Sequence, residues 1–314
     1  MTEVREVLRG LPVDGRGSVV TVGTFDGVHR GHLDVLARLV ERARTLDLPS
    51  VVITFEPHPL QIVHPEIAPP LLTTFREKLE VIAQTGVCRA AVLPFTPSLA
   101  ALSAEEFVDD VLIARFGMCE LLVGHDHGFG RGRLGDTTVL QAMGRERGFG
   151  VTVLEPVATG DGAAVSSTGI RRAVQDGDLE RAAELLGRPY SVCGRVVGGD
   201  RRGRLLGYPT INLETPPSQK LLPPDGVYAA RVQTPQGAFG GMLNLGPRPT
   251  FGDLERRIET HIFDASHDWY GAPVRIDFVR RLRGTRAFAG AEALMTQIAQ
   301  DEHDARAVLG LPPR

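Results

Sequence analysis

The chain has 314 residues, a length for which two domains are the first expectation. Its 42% hydrophobic and 23% charged residues are typical of a soluble globular protein, and its net charge of −3 gives no reason to expect nucleic-acid binding. The longest apolar stretches are strand-sized, so we expect no membrane span. The N-terminal residues lack the apolar region of a signal peptide, and the three scattered cysteines predict neither disulfides nor a zinc site. We therefore expect a cytoplasmic protein.

The first half of the chain alternates strand-like and helix-like segments. Apolar runs predict strands at 19–23, 51–55, 90–95, 120–124 and 151–156. Helical patterns lie between them at 31–45, 75–85, 103–116 and 137–148. Short apolar strands separated by helices predict an α/β fold with a parallel, doubly wound sheet. Ligands bind such sheets beyond the carboxyl ends of their strands.

A glycine-rich loop joins the first predicted strand to the first predicted helix. It reads Gly-Thr-Phe-Asp-Gly-Val-His-Arg-Gly-His over residues 23–32 and contains Gly23, Phe25, Asp26, His29 and His32. A helix N-terminus attracts phosphate, and two histidines three residues apart can face one ligand there. This His-x-Gly-His pattern is the signature of nucleotidylyltransferases. The alternative is a glycine turn with two surface histidines.

Two further segments follow strands at the same predicted sheet edge. In residues 54–59, His58 is a candidate ligand contact, although the flanking prolines equally predict a structural turn. Residues 123–133 place Asp126 between His125 and His127 in a glycine-rich loop. We interpret this loop as nucleotide-binding, with metal binding as the alternative.

Residues 165–171 precede a helix and contain Ser167, Thr168 and Arg171. Hydroxyl and N–H groups at a helix start, with an arginine one turn in, suit a triphosphate. An ordinary helix N-cap is the alternative. Two short helices, at 167–175 and 178–186, then close the first domain, which we predict to span residues 1–186.

In the second domain, residues 187–314, the pattern changes. Strands are predicted at 190–197, 226–234, 238–245, 257–264 and 274–283, with a final helix at 291–309. Strands separated by turns, without long intervening helices, predict an antiparallel barrel or sandwich.

Polar residues of this second half form a second candidate site. Glycines free the backbone to wrap phosphates, and the candidates are Gly199, Gly203 and Gly207. Thr210 and Asn212 alternate along an extended segment, so both could hold one Mg²⁺, although a flexible hairpin with a polar edge is the alternative. Asn244 begins a second turn, and Glu259 shares a strand face with His261. Glu259 is either a base or a solvated residue at the rim.

These motifs occur in an order that resembles the bacterial bifunctional riboflavin kinase/FMN adenylyltransferase (FAD synthetase) family. The resemblance extends from about residue 18 to residue 309 and includes Leu-Ser-Ala-Glu-Glu-Phe at 102–107 and Gly-Arg-Pro-Tyr at 187–190. It implies a Rossmann-like nucleotidylyltransferase domain followed by a six-stranded riboflavin-kinase β-barrel with a C-terminal helix. The barrel would make FMN from riboflavin and ATP, and the first domain would join FMN and AMP into FAD with release of pyrophosphate.

The resemblance also implies residue roles. In the first domain, His29 and His32 hold ATP phosphates, Asp126 lines the loop near the flavin phosphate, and Ser167, Thr168 and Arg171 meet the triphosphate. In the barrel, Thr210 and Asn212 bind Mg²⁺ with ATP, and Glu259 is the kinase base. The chain departs from the family at His127, where an aromatic residue is common, and at Gly169, where arginine or lysine is common.

We therefore expect ATP, riboflavin and FMN as small-molecule partners and Mg²⁺ as the metal, with no tightly bound prosthetic group, nucleic acid or membrane. Two rival hypotheses stay open at this point. One is an adenylyl- or cytidylyltransferase with another acceptor, such as a lipid head-group alcohol. The other is a flavin- or nucleotide-binding regulator without turnover.

Overall fold

The structure, a computed structural model, describes residues 17–124, 128, 130, 135–158, 160, 162, 164–199, 203, 207–247, 256–265 and 267–314, and the backbone of residues 3–6. The chain divides into two compact units, residues 1–167 and 168–314. In the described residues no helix has the length and apolarity needed to cross a membrane.

The first unit contains a parallel sheet of six strands. These are β1 (Glu3–Glu6), β2 (Ser18–Val22), β3 (Ser50–Glu56), β4 (Arg89–Pro94), β5 (Met118–Gly124) and β6 (Gly150–Leu154). Their order is β1-β4-β3-β2-β5-β6, and every pair is parallel. The predicted parallel sheet is confirmed, whereas the four-residue β1 was not predicted. The chain runs from β2 to β3 on one side and returns at β5 on the other, so the loop after β2 lies at the topological switch point.

Helices connect these strands. They are α1 (Arg30–Thr45), α2 (Pro59–Val63), α3 (Phe75–Ala83), α4 (Pro97–Ala100), α5 (Ala104–Glu106), α6 (Ala114–Phe116) and α7 (Thr137–Arg147), with a short 3₁₀ helix at Pro65–Ile67. A π-helix, Phe107–Ile113, joins α5 to α6, where the sequence predicted one regular helix. The apolar spacing that predicts a helix does not distinguish i+4 from i+5 hydrogen bonding.

Both faces of the sheet are buried, because successive residues of one strand enter different cores. Val19 packs in a cluster with Leu36 and Leu39 of α1, whereas Val20 packs in a second cluster with Phe107 and Val111 of the π-helix. This alternation explains why β2 is apolar at consecutive positions: a parallel sheet covered on both faces leaves no polar side. With both faces of the sheet covered, the edge formed by the carboxyl ends of the strands is where a ligand can bind.

The second unit is built around a closed antiparallel barrel. Its strands are β7 (Tyr190–Val197), β8 (Ile211–Leu213), β9 (Gly226–Thr234), β10 (Gly237–Pro247), β11 (Arg256–Ile262) and β12 (Pro273–Arg283). They close in the order β10-β11-β8-β7-β12-β9. The barrel that the resemblance implied is confirmed with six strands. The strand patterns alone had indicated five, because the three-residue β8 is too short to show alternation.

Among the described residues, the second unit also contains α9 (Leu179–Leu186), α10 (Ala291–Leu309) and all of α8 (Ser167–Asp176) except its first residue. Helix α9 packs against β7 and β12, and its Glu180 pairs with Arg280 of β12. Helix α10 packs against β9, β10 and β12. Our domain boundary at 186/187 stays a prediction.

Candidate active sites

The loop after β2 is held in an uncommon backbone conformation. Phe25 has φ 50°, Gly27 has φ 81° and the β-branched Val28 has φ 38°. Residues other than glycine rarely adopt positive φ, and such strain persists only where surrounding contacts over-determine it. The strained turn leads directly into α1 at the carboxyl edge of the sheet.

His29 and His32 lie together at the start of α1. His29 is the N-cap of the helix, and its Nδ1 accepts a hydrogen bond of 3.3 Å from the His32 backbone N–H. The two rings stack with their centroids 3.6 Å apart, and the Phe25 ring lies 5.0 Å from that of His32. The predicted pairing of the histidines at a helix N-terminus is therefore found in the structure. It concentrates two imidazoles and the positive end of the helix dipole at one place.

Asp26 holds this loop to the segment before α3. Its buried carboxylate accepts hydrogen bonds from the backbone N–H groups of Leu72, at 3.0 and 3.1 Å, and Thr73, at 3.1 Å. The Thr73 hydroxyl in turn accepts from the Gly27 N–H at 3.1 Å. We predicted Asp26 as a nucleotide-binding residue, and these contacts give it a role within the protein. Gly23, at the end of β2, donates its N–H to the Ile53 carbonyl at 3.0 Å.

The other predicted residues of this site have different placements. The Ser167 hydroxyl donates to the Asp26 carbonyl at 3.0 Å, and both residues belong to the first unit. Thr168 is exposed and Arg171 is half-buried, and both belong to the second unit.

Asp126, with His125 and His127, lies outside the described residues. His58 caps α2, where its Nδ1 accepts from the Leu60 N–H at 3.2 Å.

Sequence reasoning missed Lys78 of α3. Its side chain is buried, and its ammonium donates to the carbonyls of Thr24 (3.3 Å) and Phe55 (3.0 Å) and to the hydroxyl of Thr54 (3.1 Å). Burial lowers the pKa of Lys78, and the negative charges of Glu56 and Asp26 oppose that shift. No sequence signal separated this lysine from an ordinary solvated residue of an amphipathic helix.

In the barrel, three polar residues form one row across neighbouring strands. Glu259 of β11 lies opposite Asn212 of β8 on one side and opposite Asn244 of β10 on the other. Directly opposite residues share a sheet face, with Cβ atoms about 4.5–5.5 Å apart. The structure therefore brings together three side chains that are distant in sequence, since Asn212 and Glu259 are 47 positions apart.

This row lies on the outer face of the barrel. Met242 and His261 are opposite each other one step further along the same face, and Met242 packs with Ala305 and Leu309 of α10. His261 is buried and has its Nδ1 2.7 Å from the carbonyl oxygen of Pro209. It therefore joins the Glu259 strand to the segment that carries Thr210 and Asn212.

Two described glycines approach the segment around Asn212 closely. A Cβ placed on Gly199 would lie 2.6 Å from the Asn212 Cγ, and one on Gly203 would clash with the Tyr208 carbonyl. Asn212 is 7% exposed, and its Oδ1 is buried with no hydrogen-bond partner among the described residues. A buried acceptor without a donor is costly unless something else occupies it. Thr210 is half-buried and lies two residues before Asn212, just outside β8. Gly207 has φ 79°, which allows the turn before Tyr208.

Comparison with known proteins identifies both halves. The family model for FAD synthetase matches residues 12–169, and the model for riboflavin kinase matches residues 186–309. The bifunctional riboflavin kinase/FMN adenylyltransferase of Escherichia coli K12 is 40% identical over 296 residues, which are 94% of each chain. The protein of that name from Pseudomonas fluorescens is 41% identical over 302 residues, 96% of each chain. The chain belongs to the bifunctional riboflavin kinase/FMN adenylyltransferase family.

A solved structure shows the same fold at nearly full length. The crystal structure of a macrolide-efflux protein from Streptococcus pneumoniae matches with a TM-score of 0.85 at 32% identity. The match covers 97% of this chain and 98% of that one.

Proposed function

We propose that this chain makes FAD in two steps, as the family members that it resembles are named to do. The second unit transfers a phosphoryl group from ATP to riboflavin and gives FMN. The first unit transfers the adenylyl group of another ATP to FMN and gives FAD and pyrophosphate. The observation that carries this proposal is that the FAD synthetase model matches residues 12–169 and the riboflavin kinase model matches residues 186–309.

In adenylyl transfer, the FMN phosphate attacks the α-phosphorus of ATP, and pyrophosphate leaves. FMN supplies an anionic nucleophile, so this step needs charge neutralisation and in-line positioning rather than a strong base. His29 and His32, stacked at the N-terminus of α1, hold the triphosphate and stabilise the charge that grows on the leaving group. Ser167, Thr168, Arg171 and Asp126 are proposed to complete the phosphate and flavin contacts.

In phosphoryl transfer, the nucleophile is the 5′-hydroxyl of riboflavin, which is neutral and weak. Glu259 takes the proton of this hydroxyl as its oxygen bonds to the γ-phosphorus and ADP leaves. The turn with Gly199, Gly203 and Gly207 holds the ATP phosphates close to the backbone, and Asn244 contacts a substrate from the neighbouring strand.

The residues of the barrel site fit a Mg²⁺ ion. Asn212 Oδ1 is a buried oxygen that has no hydrogen-bond partner in the described part of the chain, and Thr210, two residues earlier, would add a hydroxyl. Neutral oxygen ligands together with substrate phosphates are the usual environment of Mg²⁺. When bound, the ion neutralises phosphate charge. We place the reactions in the cytoplasm, where ATP is available.

The proposal is tested by incubating the protein with riboflavin, MgCl₂ and ATP and separating the flavins over time. FMN should appear first and FAD second, and supplied FMN with ATP should give FAD and pyrophosphate in equal amounts. A transferase with another acceptor would release pyrophosphate only with that acceptor, and a regulator without turnover would leave riboflavin unchanged. Either result would contradict the proposal.

A further inference from the structure

Lys78 lies beneath the strained loop and has no role in the reaction scheme above. It is 6% exposed, and its ammonium group makes three hydrogen bonds, which equals the number of its protons. The acceptors are two carbonyls and one hydroxyl, none of which carries a negative charge. A buried cation is costly, so its retention at this position needs an explanation.

The bonds of Lys78 converge with those of Thr54 on one atom. Thr54 is fully buried, and its hydroxyl accepts from Lys78 while it donates to the Thr24 carbonyl at 3.1 Å. The Thr24 carbonyl therefore receives a hydrogen bond from each of them. Thr24 directly precedes Phe25, the first residue of the turn with positive φ.

The other end of the turn is held by the same region of the chain. Asp26 accepts hydrogen bonds from Leu72 and Thr73, which come just before α3, the helix that carries Lys78. The turn is thus fixed on both sides of Phe25. Hydrogen bonds on both sides of a strained residue hold the backbone in one conformation.

We propose that Lys78 is a positioning residue for adenylyl transfer: with Thr54 it fixes the Thr24 carbonyl, and so holds the turn that aims His29 and His32 at the ATP phosphates. This inference rests on the proposed function of the first unit.

The first test is Lys78→Met, which keeps the length of the side chain and removes its charge and its donors. The kcat of FAD formation from FMN should fall about 100-fold, the effect of moving reacting groups by about 1 Å. Because Lys78 acts on geometry, we expect a larger change in kcat than in the KM for FMN. FMN formation by the same sample should be unchanged, which shows that the second unit is folded.

Thr54 provides an isosteric pair for the second test. Thr54→Val removes the hydroxyl and should lower kcat, whereas Thr54→Ser keeps the hydroxyl and should restore it. The double variant Lys78→Met/Thr54→Val should be no slower than Lys78→Met alone, since both act through Thr24. Thr152→Val is the matched control, because the Thr152 hydroxyl bonds to Glu120 on β5 at 3.0 Å and is not part of this network.

The outcomes separate the inference from the proposed function. Wild-type protein that makes no FAD would refute the proposed function, and the inference with it. If the wild type makes FAD and Lys78→Met has a normal kcat, Lys78 is only a structural residue. If Lys78→Met does not fold, the Thr54 pair decides, and equal kcat values for Thr54→Val, Thr54→Ser and Thr152→Val would overturn the inference.

Discussion

Asn212 and Glu259 lie directly opposite each other on the antiparallel strands β8 and β11. One is a buried amide whose Oδ1 has no hydrogen-bond partner in the described residues, and the other is a half-buried carboxylate. A phosphate held near Asn212 would thus lie within one strand spacing, about 4.8 Å, of a potential base. This relationship supports the assignment of phosphoryl transfer to the outer face of the barrel.

Glu259→Gln should lower the kcat of FMN formation by about 10²–10⁴-fold, because glutamine keeps the shape and removes the base. FAD formation from supplied FMN should be nearly unchanged, since that reaction belongs to the other unit. Both rates can be measured on one preparation by flavin chromatography. If Glu259→Gln retains the kinase turnover of the wild type, Glu259 is only a solvated residue at the rim of the barrel. If the variant loses only adenylylation, the two reactions are assigned to the wrong units.

Gly199→Ala should impair the kinase by displacing the Asn212 amide. The added methyl would lie 2.6 Å from the Asn212 Cγ, so the amide must rotate away from its present position. We expect the Mg²⁺ concentration for half-maximal FMN formation to rise. Gly198→Ala is the matched control, since a Cβ there meets no atom of the described residues within 4 Å. Equal Mg²⁺ dependence of the two variants would argue against Asn212 as a metal ligand.

The sequence predicted the parts of this molecule that depend on local pattern. Apolar runs predicted the parallel strands, and the loop at 23–32 predicted that His29 and His32 would meet at a helix N-terminus. The burial of Lys78 could not be predicted, because its three acceptors, Thr24, Thr54 and Phe55, converge only after β2 and β3 pair. The register of β8 against β11 could not be predicted either, because a strand of three residues shows no periodic pattern.

The two histidines of the first unit can be tested without losing the helix cap. His29 caps α1 through its ring, so His29→Ala would also cost about 0.5–2 kcal/mol of helix stability, whereas His29→Asn keeps a capping side chain. We expect His29→Asn and His32→Ala each to slow FAD formation by about 10²–10³-fold. FMN formation is the internal control. Normal FAD synthesis by the double variant would refute the assignment of this site.

Fragments can test whether the two activities separate. A fragment of residues 168–314 should make FMN and no FAD. A fragment of residues 187–314 lacks α9, whose buried Leu179, Ala182, Leu185 and Leu186 cover β7 and β12. It should therefore unfold at a lower temperature, because the full burial of each leucine side chain contributes about 1.5–3 kcal/mol. A folded longer fragment without kinase activity would show that the barrel assignment is wrong.

His261 should make the stability of the barrel depend on pH. Burial lowers the pKa of His261 from 6.5, so the folded state binds its proton less readily than the unfolded state. As the pH falls below 6.5, the unfolded chain gains a proton that the folded chain does not, and stability decreases until the lowered pKa is reached. Above 6.5 this contribution is constant. The pKa of Asp264 is lowered from 3.8 by Arg306, so its stabilising contribution is lost only in more acidic solution.

Trp269 is the only tryptophan of the chain and is buried in the second unit, so its fluorescence reports unfolding there. The urea concentration at the midpoint of wild-type unfolding should decrease when the pH is lowered from about 7 to about 5, the range in which histidine titrates. His261→Phe keeps an aromatic ring against Tyr208 and Phe263 and should reduce this fall. Exposed His267, whose ring lies 5.5 Å from that of Trp269, can alter the intensity, so the midpoint is the quantity to compare. An identical pH dependence in the two proteins would assign the effect to another group.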